Sequence, residues 1–197
     1  MNVLAASDKK QKRRRCWPIL CGALCLAFAA RPAAAAGARL QEGIRAYASG
    51  HYDKAAQIFS VLAPKGNPLA RAYLGYMYEY GKGVPQDYVV AAGWYKCASQ
   101  QGVAQAQYEL GLMYDRALGV PQDYVKAYAL VNLAVAKKPA GIERERWLNI
   151  REALGTKLSL VELTKAQQMS FEGVPEGPCL PISTGVQIWP PWPVIPP

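Results

Sequence analysis

The chain has 197 residues, 51% of them hydrophobic and 19% charged, with a formal net charge of +9. That length and apolar content suit a packed domain and exclude a charge-rich disordered chain. The positive excess would point to nucleic acid or anionic membrane only if it belonged to the folded part; residues 1–36 hold seven Lys/Arg against one Asp, which leaves the remainder at about +3 and removes that inference.

From the N-terminus, Lys9, Lys10, Lys12, Arg13, Arg14 and Arg15 form a basic cluster. An apolar run from Cys16 to Ala30 follows, then small residues from Ala33 to Ala38. This order describes a secretory signal peptide, with cleavage expected after Ala36. An uncleaved membrane anchor is the rival, although the run is shorter than the roughly 20 residues of a spanning helix. The expected location is periplasmic or secreted, with membrane contact only through the export signal. Without this segment the cysteines are Cys97 and Cys179. They either form one disulfide, as an exported protein permits, or remain a buried helical Cys97 and a free Cys179.

Residues 37–172 carry helical patterning. Ala70, Leu74, Met77, Tyr78 and Gly81 recur at spacings of three and four, as do Tyr88, Ala91, Trp94, Tyr95 and Ala98, each set marking one helix face. Gly81-Lys82-Gly83-Val84-Pro85 breaks the helix between them, and Asp87 stands where it would cap the next one. The heptapeptide from Gly83 to Val89 returns unchanged from Gly119 to Val125, 36 residues later. Over 70–95 against 106–131, 13 of 26 positions are identical. Fixed-period self-similarity of this length marks a stacked repeat protein. Gly75 and Gly111 fall at equivalent positions and predict close helix approach. Tyr52, Tyr88 and Tyr124 share the interval, as do Ala55, Ala91 and Ala127. Three units are expected, with helix starts near 38, 52, 68, 87, 103 and 123. Two more helices follow, over Ile142–Leu154 and, opened by the capping box Ser159-x-x-Glu162, through about Phe171.

Ala70-x-x-x-Leu74-Gly75-x-Met77-Tyr78, then Gly81-x-Gly83-Val84-Pro85-Gln86-Asp87-Tyr88-x-x-Ala91-x-x-Trp94-Tyr95-x-x-Ala98, resembles a Sel1-like repeat, a subclass of the tetratricopeptide-type helical repeats. Gly43, Gly50, Tyr52, Ala55 and Phe59 resemble the plain tetratricopeptide unit. The second copy departs late, with Leu130 and Val131 where Trp94 and Tyr95 stood. The resemblance implies an all-α, right-handed α-solenoid of helix–turn–helix units, closed by the C-terminal helices. It implies an adaptor or scaffold with a protein or peptide partner. In such proteins the first helix of each pair lines a concave groove, which here would present Tyr47, Tyr76, Glu79, Tyr80, Tyr108, Leu112, Asp115 and Arg116. Some exported members, rich in paired cysteines, are linked to β-lactam or cell-wall chemistry; this chain lacks those regular pairs.

Catalytic signatures are sparse. The one histidine, His51, falls in a predicted turn, and no zinc spacing, nucleophile elbow or phosphate-cradling loop is present. No cofactor, metal or nucleic-acid partner is expected. Glu79 and Asp115 occupy equivalent stations and read most simply as a polar rim, since acid–base work would require a cleft that splits their pKa values. After Gly173 the composition changes to a proline-rich tail with Trp189-Pro190-Pro191-Trp192-Pro193 and no Lys or Arg, for which an extended or disordered state is expected.

Overall fold

A computed structural model of the chain describes residues 31–177 and Cys179. The basic cluster, the apolar run and the Trp-Pro motif lie outside the described residues. The compact repeat unit starts at Ala38. Eight helices and no strands occur among the described residues: α1 Arg31–Ala48, α2 Tyr52–Leu62, α3 Pro68–Tyr80, α4 Tyr88–Gln100, α5 Ala104–Arg116, α6 Tyr124–Lys137, α7 Ile142–Gly155 and α8 Leu160–Glu172. The first helix begins earlier than the expected start near 38, because the alanine-rich stretch Ala33–Ala36 has high helix propensity. No helix among the described residues is long and apolar enough to cross a membrane.

The boundaries follow from local chemistry. Asn67 caps α3 by accepting from the Ala70 amide, with Pro68 at the first turn. Asp87 accepts from the Val89 and Val90 amides, and Asp123 from that of Lys126. Ser159 and Glu162 close the capping box of α8. Helix α3 ends on Gly81 in the left-handed region, φ +62°. Its counterpart at the end of α5 is Ala117, at φ +56°, a conformation that favours glycine. Ala117→Gly is therefore expected to raise stability by up to about 1 kcal/mol, measured by urea unfolding.

The 36-residue interval is written into the contacts. The Asp87 amide donates to Tyr78 O at 2.9 Å and the Asp123 amide to Tyr114 O at 3.1 Å. Gln86 Nε2 donates to Glu79 O at 2.7 Å, and Gln122 Nε2 to Asp115 O at 2.8 Å. Arg71 Nε reaches Ala63 O, and Gln107 Nε2 reaches Ser99 O. Each pair of bonds ties a loop or helix start to the element before it, so successive units dock in the same way. A Cβ on Gly75 would lie 2.6 Å from the Tyr95 ring, and one on Gly111 2.8 Å from Val131 Cγ2. Both glycines thus hold paired helices closer than any other residue allows.

Two apolar layers result. One joins α1–α4 through Phe59, Ala70, Leu74, Met77 and Trp94; the next joins α4–α7 through Tyr95, Ala106, Leu110, Met113, Leu130 and Trp147. Adjacent residues Trp94 and Tyr95 serve opposite layers, which places α4 between them. Each fully buried large side chain, such as Phe59 or Leu110, contributes roughly 1.5–3 kcal/mol. Helix α6 carries aliphatic Leu130 and Val131 instead, both in the second layer, because α7 and α8 pack on α6 in place of a further repeat.

Beyond α8, Glu176, Gly177 and Cys179 are held on the fold. Glu176 Oε2 accepts from the Tyr114 hydroxyl at 2.8 Å and lies 3.9 Å from Lys96 Nζ. Gln100 Nε2 donates to Gly177 O at 2.7 Å. Cys97 and Cys179 are joined by a disulfide, with Cα atoms 5.0 Å apart, which resolves the alternatives left open by the sequence.

Candidate functional site

The first helices α1, α3 and α5 carry a groove of about 320 Å³, lined by Tyr47, Leu69, Ala72, Tyr73, Tyr76, Tyr95, Val103 and Gln105. Helical spacing explains the lining: Leu69, Ala72, Tyr73 and Tyr76 occupy one face of α3 at intervals of three and four. The rings support one another. Tyr47 meets Tyr73 at 5.3 Å and Tyr76 at 5.9 Å between centroids, and Phe59 stacks beneath Tyr73 at 4.8 Å. Such offset and edge contacts hold rings in fixed orientations. Burial, with the neighbouring tyrosines, pushes the Tyr47 hydroxyl well above its ordinary pKa, so it stays a neutral hydrogen-bonding group.

Behind the groove wall lie two buried carboxylates. Glu79 on α3 and Glu109 on α5 are each 8% exposed. Tyr95, which lines the groove, donates its hydroxyl to Glu79 Oε2 at 2.8 Å. Gln105, also in the lining, donates Nε2 to Glu109 Oε1 at 2.8 Å. Burial raises both carboxyl pKa values; for Glu109 the charge of Glu79 adds to the effect and the value is about 7, while the nearby Arg116 pulls both down. Burial also pushes the Tyr80 hydroxyl up to about 12.

These shifts carry a stability consequence. Between its unfolded value of 4.5 and about 7, Glu109 binds its proton more tightly in the folded state, so its contribution is fully present below pH 4.5 and is lost as pH rises through 7. Glu109→Gln should therefore stabilise the protein at pH 8 by about 2 kcal/mol and flatten the pH dependence between 4.5 and 8, measured by urea unfolding across that range. Exposed Glu42, Glu143 and Glu162 have lowered pKa values from their hydrogen-bond partners Lys54, Lys138 and Ser159. They lose stabilisation only as the pH falls below 4.5 and leave this window to the buried acids.

Among the residues expected to line a partner groove, Tyr47 and Tyr76 line it together, and Tyr80 packs on Tyr76 at 4.4 Å. Glu79 sits beneath them, buried, and is not part of a polar rim. Its repeat counterpart Asp115 pairs instead with Lys157. The physical reason is the exchange of Tyr95 for Val131, which removes the hydroxyl that draws Glu79 inward. Tyr108 stacks on Trp147 at 4.5 Å, so α7 covers the groove at the level where the second repeat would present it. Leu112 is half-buried and Arg116 exposed; neither belongs to the lining. Tyr73, Gln105 and Glu109 were not anticipated. Tyr73 and Glu109 occupy equivalent stations, and their mismatch between otherwise similar copies is the signal that marks them.

His51 is exposed at the start of α2. No cluster of three or more His, Cys, Asp or Glu suited to a metal occurs among the described residues. The tyrosine groove and its acids offer apolar area, hydroxyls and negative charge, which is recognition chemistry.

Comparison with known proteins agrees with this architecture. The Sel1 repeat model matches residues 68–103 and 104–138. The structure is similar to that of a protective antigen present in uropathogenic Escherichia coli strains displaying an SLR fold, with TM-score 0.64 and 31% identity over 70% of this chain and 29% of that one. It also matches a Sel1 repeat protein from Oxalobacter formigenes, with TM-score 0.47 and 32% identity over 49% and 40% of the two chains. The chain thus spans less than a third of the antigen's length. No curated protein matches it. Sel1 repeats generally mediate protein–protein interaction, and the fold is typically a non-catalytic scaffold. Two Sel1 repeats that share one set of docking contacts thus account for residues 68–138 of the chain.

Proposed function

We propose that this protein is a non-catalytic scaffold of the bacterial cell envelope that binds a protein or peptide partner through the tyrosine groove of α1, α3 and α5. The observation that carries this reading is the open aromatic groove beside Tyr47, Tyr73 and Tyr76, on a repeat fold whose other first-helix level is covered by Trp147. Tyrosines supply large contact area at low entropic cost and are enriched among the residues that dominate binding. The envelope assignment is supported by two features: the basic and apolar N-terminal pattern, and the Cys97–Cys179 disulfide, which persists in oxidising compartments.

Tagged protein purified from the envelope of cells expressing the full chain tests the reading. A Tyr76→Ala, Tyr80→Ala double variant is expected to lose at least tenfold in retention of its partner from periplasmic extract, with the helical circular dichroism unchanged. Undiminished retention would exclude this surface.

A further inference from the structure

We infer that the groove's occupant is an extended peptide segment carrying a lysine or arginine, its cationic head taken by Glu79 and Glu109 and its neighbouring apolar side chains laid against Tyr47, Tyr73 and Tyr76. This rests on the scaffold reading and specifies the partner's chemistry.

Three observations lead there. The acids stand one hydrogen bond behind the groove: Tyr95 and Gln105 line it, and their side chains donate to Glu79 and Glu109. The carboxylates are also uncompensated: among the described residues no lysine or arginine nitrogen lies within 4.0 Å of either. Arg116, exposed at the end of α5, acts on both only at longer range. The neutral donors Tyr95 and Gln105 supply one hydrogen bond each but no charge, so burial leaves the carboxylates short of a counter-ion. An incoming ammonium or guanidinium supplies it in a partly desolvated site, where a cation–carboxylate bond is stronger than in water. The third observation is the wall itself. Tyrosine faces accept the alkyl stem and the cation of a basic side chain, and they accept apolar or proline neighbours equally well. A buried acid pair inside a chain of positive net charge is selective, since the surrounding surface does not recruit cations indiscriminately.

The chain's own C-terminal segment is the competing occupant. Residues 180–197 offer Trp, Pro and Ile but contain no Lys or Arg, so that segment lacks the group the acids require.

The test uses protein purified from the envelope of cells expressing the full chain, and an immobilised positional-scanning hexapeptide library capped at both ends. Lys and Arg should be enriched at one position at least tenfold over Gln and Glu, beside apolar or proline preferences. A Glu79→Gln, Glu109→Gln variant should abolish the cation preference while retaining peptides through the aromatic wall; neutralising buried acids removes a folding cost, so this variant folds. Tyr76→Ala should lower retention of all peptides. Retention that depends on Tyr76 without a Lys/Arg preference, including selection of Trp-Pro sequences like residues 189–193, overturns the cation inference and leaves the groove reading standing. Retention indifferent to Tyr76→Ala, or no retention, overturns both.

Discussion

Reducing the Cys97–Cys179 bond, or replacing both cysteines with alanine, lowers the stability of the fold by about 4 kcal/mol. The bond closes a loop of 82 residues, which confines the unfolded chain far more than a local cross-link would. It also holds the segment after α8 against α4 and α5. Without the covalent tie, the Tyr114–Glu176 and Gln100–Gly177 hydrogen bonds must order that segment alone, and each contributes only about 1 kcal/mol. Cys97 is buried among helix residues, so its alanine variant loses little packing; most of the effect belongs to the cross-link. For a domain of this size the loss corresponds to a fall in Tm of roughly 10 °C or more. Thermal unfolding with and without reductant measures it, and a shift under 2 °C would show that the segment through Cys179 is not integral to the fold.

Gly119→Ala is expected to cost about 4 kcal/mol, and Gly83→Ala a similar amount. Both glycines have positive φ, +68° and +69°, which alone costs an L-residue about 1 kcal/mol. The larger share is steric. A Cβ on Gly119 would overlap the carbonyl of Tyr88, and one on Gly83 would meet the Tyr52 carbonyl and the Asp53 amide. The obstacle is the start of the preceding second helix, α2 or α4, and backbone does not yield as the end of a side chain does. Gly50→Ala separates the two contributions: Gly50 has φ +77° but nothing within 4 Å of its added Cβ, so it should lose only about 1 kcal/mol. Urea unfolding of the three variants reports the difference directly. Equal losses at Gly50 and Gly119 would deny the loop-to-helix docking on which the stacking of repeats depends.

The stacking was legible in the sequence because the same small residues solve the same steric problem twice. Gly83 and Gly119 sit in an identical heptapeptide and meet equivalent backbone; Gly75 and Gly111 admit Tyr95 and Val131. Asp87, Asp123 and Ser159 act locally, so a few neighbouring residues sufficed to place the helix starts. The candidate site was less legible because its parts answer to residues distant in the chain. Whether Glu79 stands on the rim or beneath the groove depends on Tyr95, sixteen residues away, and the Asp115 counterpart, whose repeat carries Val131 in place of that ring, is half-buried and pairs with Lys157. Trp147 covers Tyr108 from a helix that carries no repeat pattern. The disulfide joins α4, in the first matched repeat, to a proline-rich segment, a pairing that neither spacing nor periodicity specifies.

We propose that the tyrosine groove is the surface that meets the partner. This is tested most directly by placing the photo-cross-linking residue benzoyl-phenylalanine at Tyr76, inside the groove, and separately at Val89, exposed at the start of α4, then irradiating living cells. A discrete higher-mass adduct is expected from position 76 and none from position 89. An adduct from position 89 with none from position 76 would contradict it.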